Sequence, residues 1–172
     1  MKTLKIPLLL ILFFSLLAAC KKEKLTKETQ VGANTFSCKI NGKVYKRQSD
    51  FLSETLTGGL YRSSGNKYKL SVSAVMFRND KANYVIDVST SGFMNTGAIT
   101  LDSENIAGIT IISGGVRYVS KPNGQGFINI KFIDTVNGIC AGTFEFVVSN
   151  INDPNDKIYV TEGRFDVKNN KY

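Results

Sequence analysis

The 172-residue chain carries three cysteines, fourteen acidic residues and no histidine. Among side chains that react near neutral pH, an ionised thiol is the strongest nucleophile. Cys20 stands in "LLAACKKEK", at the seam between an apolar run and a dense cluster of charge, and is the best placed of the three for covalent modification. Cys38 in "TFSCKI" is in step with Phe36 and Ile40, and Cys140 in "CAGTFEF" with Phe144 and Phe146, so both thiols should point into a core. In an oxidising compartment this even pair can form a disulfide, closing a loop of about a hundred residues worth up to about 4.7 kcal/mol in the chain-entropy model. The alternative is two buried free thiols that never meet.

The missing histidine removes the commonest general base, the commonest metal ligand and every Ser-His or Cys-His arrangement. Hydrolysis of a glycoside needs only two carboxylates, about 5 to 9.5 Å apart across a cleft. The candidates are Asp87, Asp134, Glu145, Glu162 and Asp166. Asp87 and Glu145 fall on the polar phase of their strands, Asp134 lies in a turn, and Glu162 alone is in phase with apolar neighbours. No pair among them is singled out, so no catalytic residue is assigned. "NDPND" and "DTVNG" are rich in oxygen but match no calcium-loop spacing and read as hairpin turns. Zinc spacings and phosphate-cradling glycine loops are missing too, so neither metal nor cofactor is expected. The lack of tryptophan removes the strongest platform for stacking on sugars, which seven tyrosines can partly replace.

Three kinds of segment must position these residues. Lys2 and Lys5 precede an apolar run over 6–17, broken only by Pro7 and Ser15 and ending on small residues; this is the layout of an export signal. The run is shorter than the roughly 20 residues a membrane-spanning helix needs. After Cys20, "KKEKLTKETQ" carries six charges in ten residues and reads as a solvated tether. From residue 34 to the end, short alternating runs separated by turn residues read as antiparallel strands. Asn41-Gly42 suits a tight hairpin turn because both residues accept positive φ. "KLSVS", "VIDVS", "FINIKF" and "GTFEFVV" each set apolar residues against polar ones.

In "KIYVTEGRFDVK", Ile158 and Val160 sit at even positions but Phe165 and Val167 at odd ones. One buried face therefore requires a β-bulge at Glu162-Gly163, where glycine takes unusual dihedrals and Glu162 turns outward. The stretch 92–107 is read as a strand around Ile99 and a short helical turn. The sum is all-β: a single antiparallel domain of about eight to ten strands, mostly meander, closed as a flattened barrel or folded as a two-sheet sandwich.

The formal charge of +8 overstates the basicity of that domain. Lys2 and Lys5 belong to the leader, and residues 21–28 hold four lysines against two glutamates; 16 basic and 12 acidic residues remain, a charge of +4. No block of adjacent cations stands out, and nucleic acid is not an expected partner.

"LAAC" closely resembles the bacterial lipoprotein processing box. The resemblance implies that residues 1–19 are a signal peptide, that the Cys20 thiol is alkylated with diacylglycerol, and that residues 20–33 form the lipidated cysteine and flexible tether before a β domain over 34–172. An aspartate after the lipidated cysteine favours inner-membrane retention in enteric bacteria; Lys21 stands there, which implies the outer membrane, on its periplasmic face or at the cell surface. "NTFSCKINGKVY", "CAGTFEF" and "IYVTEGRFDVK" resemble small Bacteroidetes lipoproteins of unknown function, which implies an envelope location and a β fold. "DTV" resembles the O-glycosylation acceptor of exported proteins in that phylum, with Thr135 as the modified residue. The expected function is a membrane-anchored binding or interaction module whose partner is an envelope protein, a glycan or a small apolar ligand. The other reading is a carboxylate-dependent hydrolase such as a glycosidase.

Overall fold

The structure, a computed structural model, describes residues 23–48, 55–122 and 124–169. Cys20 and the residues before it lie outside them. Tight turns set the plan. Strands β1 (Thr35–Ile40) and β2 (Lys43–Lys46) meet at Asn41-Gly42, whose φ values of 47° and 78° are those of the expected hairpin turn. Asn79 and Asp80, at φ 51° and 57°, turn β4 (Tyr68–Arg78) into β5 (Lys81–Ser89) in the same way. The remaining strands are β3 (Leu56–Arg62), β6 (Gly97–Thr100), β7 (Ile106–Ile111), β8 (Val116–Val119), β9 (Gly126–Asp134), β10 (Ile139–Asn150) and β11 (Lys157–Lys168). All pairings are antiparallel.

Eight of these strands form a ring. In the order β1, β2, β4, β5, β7, β8, β10, β11 each pairs with the next, and β11 returns to β1. The strands left out, β3, β6 and β9, are excursions: β3 lies against β4, β9 against β10, and β6 against β9. The ring is thin at two places. Only Lys46↔Phe77 joins β2 to β4, and only Ser149↔Val119 and Asn150↔Tyr118 join β8 to β10. At each seam a long strand divides one edge between two neighbours, β4 between β3 and β2 and β10 between β9 and β8. Strands that change sheet make corners in this way. The all-β, antiparallel expectation thus holds, with eleven strands among the described residues in place of eight to ten.

Inside the ring, alternation places one apolar row per strand. Phe36, Ile40, Phe144, Phe146, Val160 and Phe165 from one side meet Leu70, Val72, Met76, Ile86, Val88 and Ile109 from the other, and all are buried. Phe144 is the hub, its ring centroid 4.9 Å from Phe36, 5.7 Å from Phe146 and 6.4 Å from Phe165. The bulge lies beside it. Register runs Phe144↔Gly163 and resumes at Phe146↔Val160, so Glu145 faces two residues, and the extra residue also shifts the pairing of β1. Ile158, Val160, Phe165 and Val167 consequently all face the core. The left-handed residue is Glu162, with φ 52°, rather than Gly163. Gly163 is required for space: a Cβ there would lie 2.4 Å from the Phe144 ring.

Three expectations are corrected. The stretch 92–107 contains β6 around Ile99, but no helical turn follows; the Asp102 carboxylate accepts the Glu104 and Asn105 amides, both at 2.7 Å, and bends the chain instead. Cys38 and Cys140 are free thiols, not a disulfide. Cys38 lies on β1 where β11 reaches the bulge, whereas Cys140 pairs with Val167 on the other edge of β11, about four residues further along. Two strand spacings and four residues of rise separate them by about 16 Å, far beyond the roughly 7 Å Cα limit of a disulfide.

The tether is the third. Residues 26–33 are exposed or half-buried, yet they are strapped onto the domain rather than free of it. Thr26 Oγ1 and Ser37 Oγ lie 2.7 Å apart, and Arg164 Nη1 donates to the Thr26 carbonyl at 3.0 Å. The buried carboxylate of Asp166 then accepts four donors: Thr29 Oγ1 at 2.6 Å and the amides of Val31, Gly32 and Ala33 at 3.1, 2.8 and 3.2 Å. Backbone donors that a free tether would leave to water are satisfied here by one side chain.

Candidate binding groove

Each candidate carboxylate has a different fate. Asp134 closes its own turn, accepting from the Val136 and Asn137 amides at 2.9 Å and from Asn137 Nδ2 at 2.7 Å; the Asn137 side chain first, then these amides, holds it below the usual carboxylate range. In the "NDPND" turn, Asp156 accepts from Tyr118 Oη at 2.6 Å and Asn150 Nδ2 at 3.0 Å, and hydrogen bonds from Asn150 and then Tyr118 lower it too. Both carboxylates thus serve turn geometry. Among the described residues no three His, Cys, Asp or Glu side chains cluster as metal ligands. Asp166 holds the strap. Glu145 and Glu162 meet at the bulge, where Glu145 Oε1 accepts the Glu162 amide at 3.2 Å and Lys39 pairs with Glu162. Both are exposed there, on open surface. Thr135 is exposed in the turn between β9 and β10.

The thiols are unsuited to chemistry. Burial pushes Cys38 up, and burial followed by the nearby Asp166 charge pushes Cys140 up to about 12. Neither supplies a thiolate near neutral pH.

Asp87 is different. Register aligns Ser73, Asp87, Gly108 and Val119 in one row across β4, β5, β7 and β8, with Ser71, Ser89 and Ile106 in the row beside it. The alternate residues of these strands (Val72, Ile86, Ile109 and Tyr118) are buried in the core, so the serines, Asp87 and Gly108 belong to the outer face. Together with Arg117 they line a groove of about 300 Å³. Its floor is low because four of the lining residues are serine and one is glycine. A Cβ on Gly108 would meet only the Tyr118 carbonyl, at 3.4 Å, and its φ is not left-handed. Neither sterics nor backbone conformation demands glycine there. A strand-interior glycine weakens the strand and often marks a close approach by a ligand.

The two charged residues of the groove are on opposite strands of β7. Asp87 and Arg117 form no ion pair with each other or with any other described residue. Two strand spacings, about 9.5 Å, and two residues of rise, about 7 Å, separate their backbones. Asp87 is half-buried and Arg117 exposed.

Reading Asp87 as the polar phase of a strand explains its orientation and misses its neighbours. The available signal was the row of small outward residues in "KLSVS", "VIDVS" and "IAGIT", but alternation within one strand does not reveal which strands lie side by side. Comparison with protein-family models, curated proteins and solved structures yields no match.

Proposed function

We propose that this chain is an exported lipoprotein, anchored through a thioether at Cys20, whose β domain works as a binding module at the cell envelope. The leader and "LAAC" support the anchor, and two or more acyl chains make it durable. Lys21 supports the outer membrane as its destination. Binding is favoured over hydrolysis by one observation: Asp87 is the sole carboxylate among the described residues lining the groove. A glycosidase needs a second, and the acids that do meet, Glu145 and Glu162, stand on open surface.

The strap bears on the anchor. From Cys20 to Thr26, the first of the described residues hydrogen-bonded to β1, an extended chain spans at most about 21 Å. A lipid at Cys20 would therefore keep the domain close to the bilayer. Feeding a labelled fatty acid to the producing cells tests the reading. The label should appear in the protein and vanish in Cys20→Ala; label retained by that variant would contradict it.

A further inference from the structure

We infer that the groove over β4, β5, β7 and β8 is a site for a small zwitterion, with an ammonium against Asp87 and a carboxylate against Arg117. The inference deepens the binding-module reading and rests on it. Three observations carry it. The first is the pair of opposite charges on one groove, neither of them ion-paired among the described residues. The strand β7 holds them apart, at a spacing that a short bifunctional molecule fills. The Arg117 guanidinium presents a planar fork that takes a carboxylate through two parallel hydrogen bonds, and the Asp87 carboxylate, acceptor only, takes the donors of an ammonium.

The second is the low floor at Gly108, where a Cβ would fit and none is present. The third is what the lining excludes. No tyrosine side chain among the described residues faces the groove, so a sugar ring finds no aromatic surface to stack on, and a neutral polyol would leave both charges uncompensated. An apolar ligand would strip water from Asp87 and Arg117 without replacing it. The hydroxyls of Ser71, Ser73 and Ser89 each offer a donor and acceptors for the polar middle of a zwitterion.

The test uses the detergent-solubilised full chain, labelled with ¹⁵N, and three probes at millimolar concentration: glycylglycine, the doubly capped N-acetylglycinamide, and maltose. Glycylglycine should shift the amide resonances of Asp87, Gly108 and Val119, and N-acetylglycinamide should not. Asp87→Asn and Arg117→Gln should each weaken glycylglycine about ten-fold, the loss of one charge-assisted contact, with circular dichroism unchanged. No shift with glycylglycine, or equal shifts with its capped analogue, would overturn the inference. Shifts with maltose alone would also overturn it while leaving the binding-module reading intact.

Discussion

Asp166 and the two core thiols carry the sharpest consequences of burial at the residue scale. Four donors converge on one carboxylate that is almost fully shielded from water. Asp166→Ala leaves three backbone amides without partners and should destabilise the domain by about 3 kcal/mol in urea unfolding. Amide hydrogen exchange at Val31, Gly32 and Ala33 should accelerate together; if it stays slow, something other than Asp166 holds the strap. Cys38 and Cys140 give a pH dependence of definite sign. Their folded pKa values lie above the unfolded value of about 8.5, so the stability they contribute is complete below that pH and is lost as pH rises through it towards 12. The slope should be about 1.4 kcal/mol per pH unit for each thiol. Replacing both cysteines by alanine should flatten the unfolding free energy between pH 9 and 11 relative to the parent. An unchanged slope would show that the thiols ionise freely in the fold.

The bulge in β11 shows what the order of residues can and cannot disclose about an element. The change of phase between Val160 and Phe165 made the extra residue legible, because a period of two leaves no other way to bury both. Which residue takes the left-handed conformation was not legible: glycine is the obvious choice, yet Gly163 is reserved for the Phe144 ring and Glu162 bears the positive φ. Gly163→Ala should therefore cost about 2–3 kcal/mol through overpacking, whereas substitution at exposed Glu162 should be mild. Equal effects at the two positions would contradict this division of roles. β3 escaped the pattern for a related reason. Gly58 and Gly59 interrupt its alternation, and a Cβ at Gly58 would lie 1.9 Å from the Ser71 carbonyl, so the strand exists by virtue of a close approach that only its partner reveals. The strap was hidden too: its composition is polar, and what docks it is backbone N–H, which no composition records.

Across the whole molecule, the class of fold was legible and the pairing was not. Short alternating runs and turn residues fix antiparallel strands, but the closure of β11 on β1 and the passage of β4 and β10 around the seams depend on distant partners. The same holds for the groove, which exists only because four strands separated by up to about 50 residues bring serines, Gly108, Asp87 and Arg117 into register. It is a shallow site on the outer face of a sheet whose inner face is fully packed, so ligand access requires no opening of the core. The thin seams should be the weakest part of the ring. Amides of Lys46 and Ile151, the latter donating to the Arg117 carbonyl across the β8–β10 seam, should exchange faster than those of Val72 and Phe144; the reverse order would contradict the ring's division at these corners.

The central claim is that Gly108 keeps a working groove open at some expense to stability. Thermal melting and glycylglycine titration of Gly108→Ala test it directly. Room for a Cβ and a stiffer backbone should raise the midpoint by about 2–4 °C while binding weakens. A variant that melts lower than the parent, or that binds the dipeptide unchanged, would show that the glycine serves packing and that the groove is not the site.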